Sequence, residues 1–146
     1  MRMLIATDGS DCSKGAVIES ARYINPETTA IEIVSALEDP LPMAAISTES
    51  YQLVGDSITQ LAVTSVKEAE SELRNQFKGK HLDLATKVLH GCADQMIIDE
   101  AKRWHADLIV VGCRGRGFLG RLLGSVSNDV VHHGPCSVLV VRKSTA

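Results

Sequence analysis

Five short apolar runs alternate along the chain with stretches of helical period, and this alternation limits the choice of fold more than any other feature. Residues 2–7 open the series and stop at a turn-and-cap cluster, Asp8-Gly9-Ser10-Asp11. From Ser13 onward Val17, Ala21 and Ile24 recur at helical spacing until Asn25-Pro26 ends the segment. Residues 30–37 are rich in β-branched side chains and predict a second strand. Helical spacing returns over 55–78, with Ile58, Ala62, Val66, Ala69, Leu73 and Phe77 on one face and Gly79 placed as a cap. A third strand is expected at 82–90 and a helix at 93–105 with Ile97, Ala101 and Trp104 inward. The unbroken apolar run Leu108-Ile-Val-Val111 reads as a fourth strand buried on both faces. A helix at 125–133, with Val126 and Val130 inward, is broken by Gly134-Pro135, and 137–141 forms a last strand.

Strands separated by helices imply parallel pairing through helical crossovers, hence an α/β layered domain of five strands and four helices. The length, 146 residues, fits one domain over 1–146. Such sheets take ligands beyond the carboxyl ends of their strands, at a topological switch point. In this chain those ends carry Thr7-Asp8-Gly9, Ala36-Leu37 and Gly112-Cys113-Arg114-Gly115. One connection stands apart. Residues 38–54 contain Pro40 and Pro42 and little periodicity, so a long loop of the kind that covers a site is expected there.

Charge and composition exclude several classes of function. Net charge is −3, and the five aromatic residues (Tyr23, Tyr51, Phe77, Trp104, Phe118) are too few for base-stacking platforms, so no nucleic-acid partner is expected. The charge is uneven: residues 102–143 hold seven basic and two acidic side chains, leaving the remainder strongly acidic. A local basic region in an acidic chain suits a small anionic ligand. The apolar runs are strand-sized, so no membrane insertion is expected, and the first residues lack the apolar core of a secretion signal. Cys12, Cys92, Cys113 and Cys136 are scattered without a metal-type or disulfide-type spacing, which points to a cytoplasmic protein with reduced thiols and no metal site.

The informative segment is the glycine-rich stretch 112–124 and the helix start that follows, Gly124-Ser-Val-Ser127. Glycines let a backbone turn sharply and approach a ligand. Free N–H groups at a helix start hold phosphate, and the helix dipole assists. Ser125 and Ser127 are expected to add hydroxyl donors, and Arg114, Arg116 and Arg121 positive charge. A Walker A sequence is missing, which excludes a P-loop NTPase of the usual kind. A G-x-G-x-x-G occurs at 115–120, but in the last crossover and without an acidic residue ending the next strand, so the dinucleotide reading loses its ribose anchor.

At these residues the chain resembles the universal stress protein family. Three blocks carry the likeness: Ile5-Ala-Thr-Asp8-Gly-Ser10, Ala106-Asp-Leu-Ile-Val-Val-Gly112, and Gly124-Ser-Val-Ser127 running through His132-His-Gly-Pro-Cys-Ser-Val-Leu-Val-Val-Arg142. Gly112, Gly115, Gly124 and Ser125 match the fixed letters of the motif in the family's ATP-binding members, with eight residues rather than nine between Gly115 and Gly124. The resemblance implies a three-layer α/β/α, Rossmann-like fold of the adenine nucleotide alpha hydrolase type. It implies a five-stranded parallel sheet of order 3-2-1-4-5, and a homodimer paired through the last strand, Ser137, Val138, Leu139, Val140 and Val141. It also implies binding of ATP, or of ADP or AMP, with magnesium as a possible companion. Asp8 would then lie beside the adenosine, flanked by Ala6 and Thr7. Ala36 would meet the adenine through its backbone, and Val111 and Gly112 would line the ribose side. Gly115, Gly124, Ser125, Val126 and Ser127 would hold the phosphates, with Arg114 nearby.

Other residues have plainer readings. Asp8 also serves as a turn residue or cap before the first helix. Cys113 lies in the glycine loop near arginines, but no resolving cysteine is adjacent in sequence, which favours an inert role. His132 and His133 are neighbours on a helix and face different directions, so they suit the helix dipole better than a metal. No catalytic constellation is present. The expected function is that of a regulatory dimer in stress response that binds adenine nucleotide and is not an enzyme, or at most a weak ATPase. The alternatives are a member acting only through an unidentified protein partner, and an enzyme that hydrolyses ATP slowly or adenylates a substrate.

Overall fold

The computed structural model describes residues 1–38, 47–114 and 123–142. Their order is β1 (Arg2–Ala6), α1 (Asp11–Ser20) with a 3-10 turn (Ala21–Tyr23), β2 (Ala30–Leu37), α2 (Thr48–Gln76), β3 (Asp83–His90), α3 (Ala93–Trp104), β4 (Leu108–Gly112), α4 (Ser125–His133) and β5 (Ser137–Val141). All strands run parallel, in the order β3-β2-β1-β4-β5. The fold class and strand order expected from the sequence are those observed.

Alternation along the central strands decides which helices cover which face. Met3, Ile5, Ile31, Ile33 and Val110 face α1 and α2, meeting Ala16, Val17, Val66, Ala69 and Leu73. Leu4, Ala6, Val34, Ile109 and Val111 face the other way, onto Ile97, Ile98 and Ala101 of α3 and Val130 of α4. Both faces of β1 and β4 are therefore covered, which is why their sequences read as continuous apolar runs. The sheet is sandwiched between two helical layers, and its strand order reverses between β1 and β4, opening a crevice at their carboxyl ends.

The helix ends differ in a way that matters for the site. Ser10 caps α1 by accepting from the Ser13 N–H, and Ser47 caps α2 by accepting from the Ser50 N–H. Gly124 stands at the same position of α4 and has no side chain to offer. The first N–H groups of a helix have no partner within it, so α4 presents them uncapped.

One expectation is corrected. The segment 38–54 is not loop throughout, because α2 begins at Thr48, seven residues before the helical spacing becomes visible at Gly55. Its first turns hold no buried residue, with Leu53 63% and Val54 44% exposed, so no buried face imposed a period on them. Residues 39–46 of that segment, with Pro40 and Pro42, lie outside the described residues.

Candidate functional site

The exit of β1 is a turn held by small polar side chains. The Thr7 N–H donates to the Val34 carbonyl at 2.9 Å, extending the strand pairing by one residue. Beyond it Gly9 takes φ 76°, a conformation open to glycine at little cost. Its N–H donates to Thr7 Oγ1 at 3.2 Å, and the Ser10 N–H donates to Asp8 Oδ1 at 2.9 Å. Ser13 Oγ lies 3.1 Å from Thr7 Oγ1 and donates to the Ser10 carbonyl at 3.0 Å. Asp8 thus closes the turn with one carboxylate oxygen while its side chain lines the cleft described below.

The exit of β4 is packed against the start of α1. A β-carbon on Gly112 would lie 2.7 Å from the Cys12 carbonyl carbon and 2.8 Å from the Ser13 nitrogen, so only glycine fits there. The next residue, Cys113, donates its N–H to the Val141 carbonyl at 2.8 Å and accepts from the Gly124 N–H at 2.8 Å. The chain therefore leaves at Arg114 and returns at Leu123 through a closed neck. Ser127 tightens this neck: its hydroxyl lies 3.0 Å from both the Cys113 and the Gly124 carbonyl oxygens. This corrects the expectation of Ser127 as a hydroxyl donor to phosphate. The side chain is buried, and its single hydrogen is engaged by backbone acceptors.

These exits surround a cleft of about 350 Å³. Eleven of the twelve residues singled out from the sequence line it: Ala6, Thr7, Asp8, Ala36, Val111, Gly112, Arg114, Gly124, Ser125, Val126 and Ser127. The twelfth, Gly115, lies outside the described residues, as do Arg116 and Arg121. Three lining residues were missed: Ser13, Ala93 and Ile97. Ser13 and Ala93 read as helix starts and Ile97 as core. Their signal was the place of each near an element's end that faces the switch point.

The cleft is chemically two-sided. Ala36 at the end of β2, with Ala93 and Ile97 from α3, makes an apolar wall. Across β1, two strand spacings or about 10 Å away, lie Gly112, Arg114 and the uncapped start of α4 with Ser125. Arg114 shares a hydrogen bond with the Cys113 thiol, which raises the guanidinium pKa above its usual value. Among the described residues no group of three or more His, Cys, Asp or Glu side chains could hold a metal ion.

A second ionisable cluster lies away from the cleft, between the sheet and α3. Glu100 receives hydrogen bonds from Arg103 and Lys87, and Arg103 Nη2 also lies 3.7 Å from Glu32 Oε1. Glu32 is buried, and its Oε2 has no hydrogen-bond partner. Burial first, then the charge of Glu100 and a hydrogen bond with it, push Glu32 up to about 7. Arg103 holds Glu100 down at about 2.

The comparisons agree with this architecture. The model of the universal stress protein family matches residues 1–142. A universal stress protein of Methanocaldococcus jannaschii is 33% identical over 97% of this chain and 82% of its own length. The solved universal stress protein UspA from Lactobacillus plantarum superposes with a TM-score of 0.77 at 25% identity, covering 97% of each chain. A universal stress protein solved in complex with cAMP superposes with a TM-score of 0.72 at 26% identity, covering 99% of this chain and 98% of its own.

Proposed function

The chain belongs to the universal stress protein family, and we propose that it binds ATP, or ADP or AMP, in the cleft at the ends of β1, β2 and β4. One observation carries this: an apolar wall and an uncapped helix start face each other across a single cleft. An adenine nucleotide has the same two ends, a flat ring with few charges and a polyanion. Ala36, Ala93 and Ile97 supply surface for the ring. The N–H groups of Ser125, Val126 and Ser127, the Ser125 hydroxyl and the α4 dipole supply donors and positive potential for the phosphates. Thr7 and Asp8, at the end of β1, lie between the two ends, and with Val111 and Gly112 of β4 they would line the ribose. The relative solved with cAMP, an adenine nucleotide, supports the same ligand class. Magnesium would ride on the phosphates rather than on a protein cage, since the described residues offer no such cage.

Binding here serves regulation rather than turnover. Rapid phosphoryl transfer needs a positioned water and charge on the leaving group. Arg114 supplies charge, but among the described residues that line the cleft Asp8 is the one carboxylate and no His or Lys stands with it to activate a water. We read residues 1–146 as one domain that works in the cytoplasm as a homodimer paired through β5, passing its nucleotide state to a protein partner.

A thermal-shift panel of ATP, ADP, AMP, cAMP and NAD tests the ligand class. A ligand that binds only the folded state adds about 2.7 kcal/mol at a hundredfold excess over Kd. Stabilisation by adenine mononucleotides and not by NAD is expected. No shift with any of them would leave the protein-partner role in place of nucleotide binding.

A further inference from the structure

Residues 12 and 113 meet in the folded chain although 101 positions separate them. Their sulfurs lie 3.9 Å apart, with Cys113 Sγ directed at Cys12 Sγ. We propose that Cys12 and Cys113, each next in sequence to a residue that lines the cleft, form a reversible disulfide when the protein meets a hydroperoxide. This goes beyond nucleotide binding and does not depend on it.

The backbone around the pair is fixed by contacts that owe nothing to the sulfurs. Gly112 abuts the Cys12 carbonyl so closely that no β-carbon would fit between them. Cys113 is tied to β5 through the Val141 carbonyl and to α4 through the Gly124 N–H. The two thiols are therefore presented to each other whenever the chain is folded. A disulfide requires about 2.0 Å between sulfurs, and rotation of the half-buried Cys12 side chain, in the open first turn of α1, closes the gap.

Exposure divides the work between them. Cys12 is accessible in part, whereas Cys113 is 4% exposed. Cys12 sulfur attacks one peroxide oxygen, the O–O bond breaks, and the thiol proton leaves with the other oxygen as water or alcohol. Cys12 is now a sulfenic acid. Cys113 sulfur attacks Cys12 sulfur, the S–O bond breaks, and hydroxide departs with the Cys113 proton as water. Two electrons have passed from the two sulfurs to the peroxide, and a thiol reductant reverses the change by exchange. The remaining cysteines are poorly suited. Cys92 donates its S–H to Asp94 and is pushed up to about 11, and burial raises Cys136.

The bond would also reach the cleft. The guanidinium of Arg114 interacts with both thiols and lines the cleft. Joining the sulfurs removes their protons and alters that contact, so redox state and the placement of the Arg114 guanidinium are linked.

The test uses the full chain carrying Cys92→Ser and Cys136→Ser, reduced and then treated with hydrogen peroxide. The expected result is a monomeric mass lower by two hydrogens, loss of both alkylatable thiols, a cross-linked peptide containing Cys12 and Cys113, and recovery with a reductant. Cys113→Ser on this background should accumulate a Cys12 sulfenic acid that a dione reagent traps. Cys12→Ser should leave Cys113 largely reduced. Peptide mapping of the oxidised natural chain must show the same cross-link, which removes any dependence on how the variants fold. Both thiols alkylating at their starting rate after peroxide, or cross-links only between chains, would overturn the proposal.

Discussion

The hydroxyl of Ser127 lies 3.0 Å from the carbonyl oxygen of Cys113, and this bond joins the first turn of α4 to the exit of β4. A side chain that read as a ligand donor instead holds the neck of the glycine loop. Ser127→Ala should therefore lower stability by about 0.5–1.5 kcal/mol, because the neck loses one buried hydrogen bond while both carbonyls keep their backbone donors, Gly124 and Asn128. Ser125→Ala, at the exposed first position of the same helix, should leave stability nearly unchanged. It should weaken ATP binding by about tenfold, the equivalent of one hydrogen bond to a charged group. Urea melts and titration calorimetry on the two variants check this. The reverse assignment, with Ser127→Ala affecting affinity alone, would show the hydroxyl facing the ligand.

Glu32 gives the protein a pH dependence of known sign. Its pKa is pushed from 4.5 in the ordinary state to about 7 in the fold, chiefly by burial. Between these values the folded chain keeps a proton that the unfolded chain has released, so this residue lowers stability as pH rises through the window. Glu100 acts in the opposite sense at lower pH. Held down at about 2 by Arg103, it contributes stability above 4.5 that is lost as pH falls from there. Glu32→Gln keeps a neutral donor beside Glu100 and removes the ionisation. The variant should gain about 1–3 kcal/mol over the natural chain at pH 8 and little at pH 4.5. Parallel stability curves for the two proteins between these pH values would contradict the assignment.

The two edges of the sheet are unlike. β3 is largely exposed and carries Asp83, Thr86 and Lys87, which discourage pairing, whereas β5 reads Ser-Val-Leu-Val-Val with Val138, Leu139 and Val140 half-buried. A dimer should therefore form through β5. Val138→Lys with Val140→Lys should yield monomers whose circular dichroism matches the parent, since the aliphatic stems keep the inner contacts. Light scattering that finds the natural chain monomeric at micromolar concentration would exclude this interface.

Much of this architecture was legible in the sequence because the central strands are buried on both faces. Leu108-Ile-Val-Val111 could be read as a buried parallel strand without knowing its neighbours. The order 3-2-1-4-5 came from the family resemblance, since apolar pattern alone does not say which strands pair. The residues of the cleft were legible because a switch point gathers strand ends, and strand ends are marked by Asp8-Gly9 and Gly112. Three things were not. The first turns of α2 are largely exposed among the described residues, so no periodicity announced them. The Ser127 hydroxyl had two possible acceptors, ligand or backbone, and only the fold of the neck decides between them. The meeting of Cys12 with Cys113 depends on α1 packing against the end of β4, a contact between elements far apart in the chain.

Titration calorimetry of ATP with magnesium, on the natural chain and on Gly124→Val, tests nucleotide binding in this cleft most directly. Gly124 has φ −67° and ψ 160°, values open to valine, so the substitution imposes no backbone strain. Its added side chain would stand at the uncapped start of α4, where the phosphates approach. Saturable binding to the natural chain and none to the variant is the expected result. Absence of heat from the natural chain at millimolar nucleotide, or equal binding by both proteins, would contradict it.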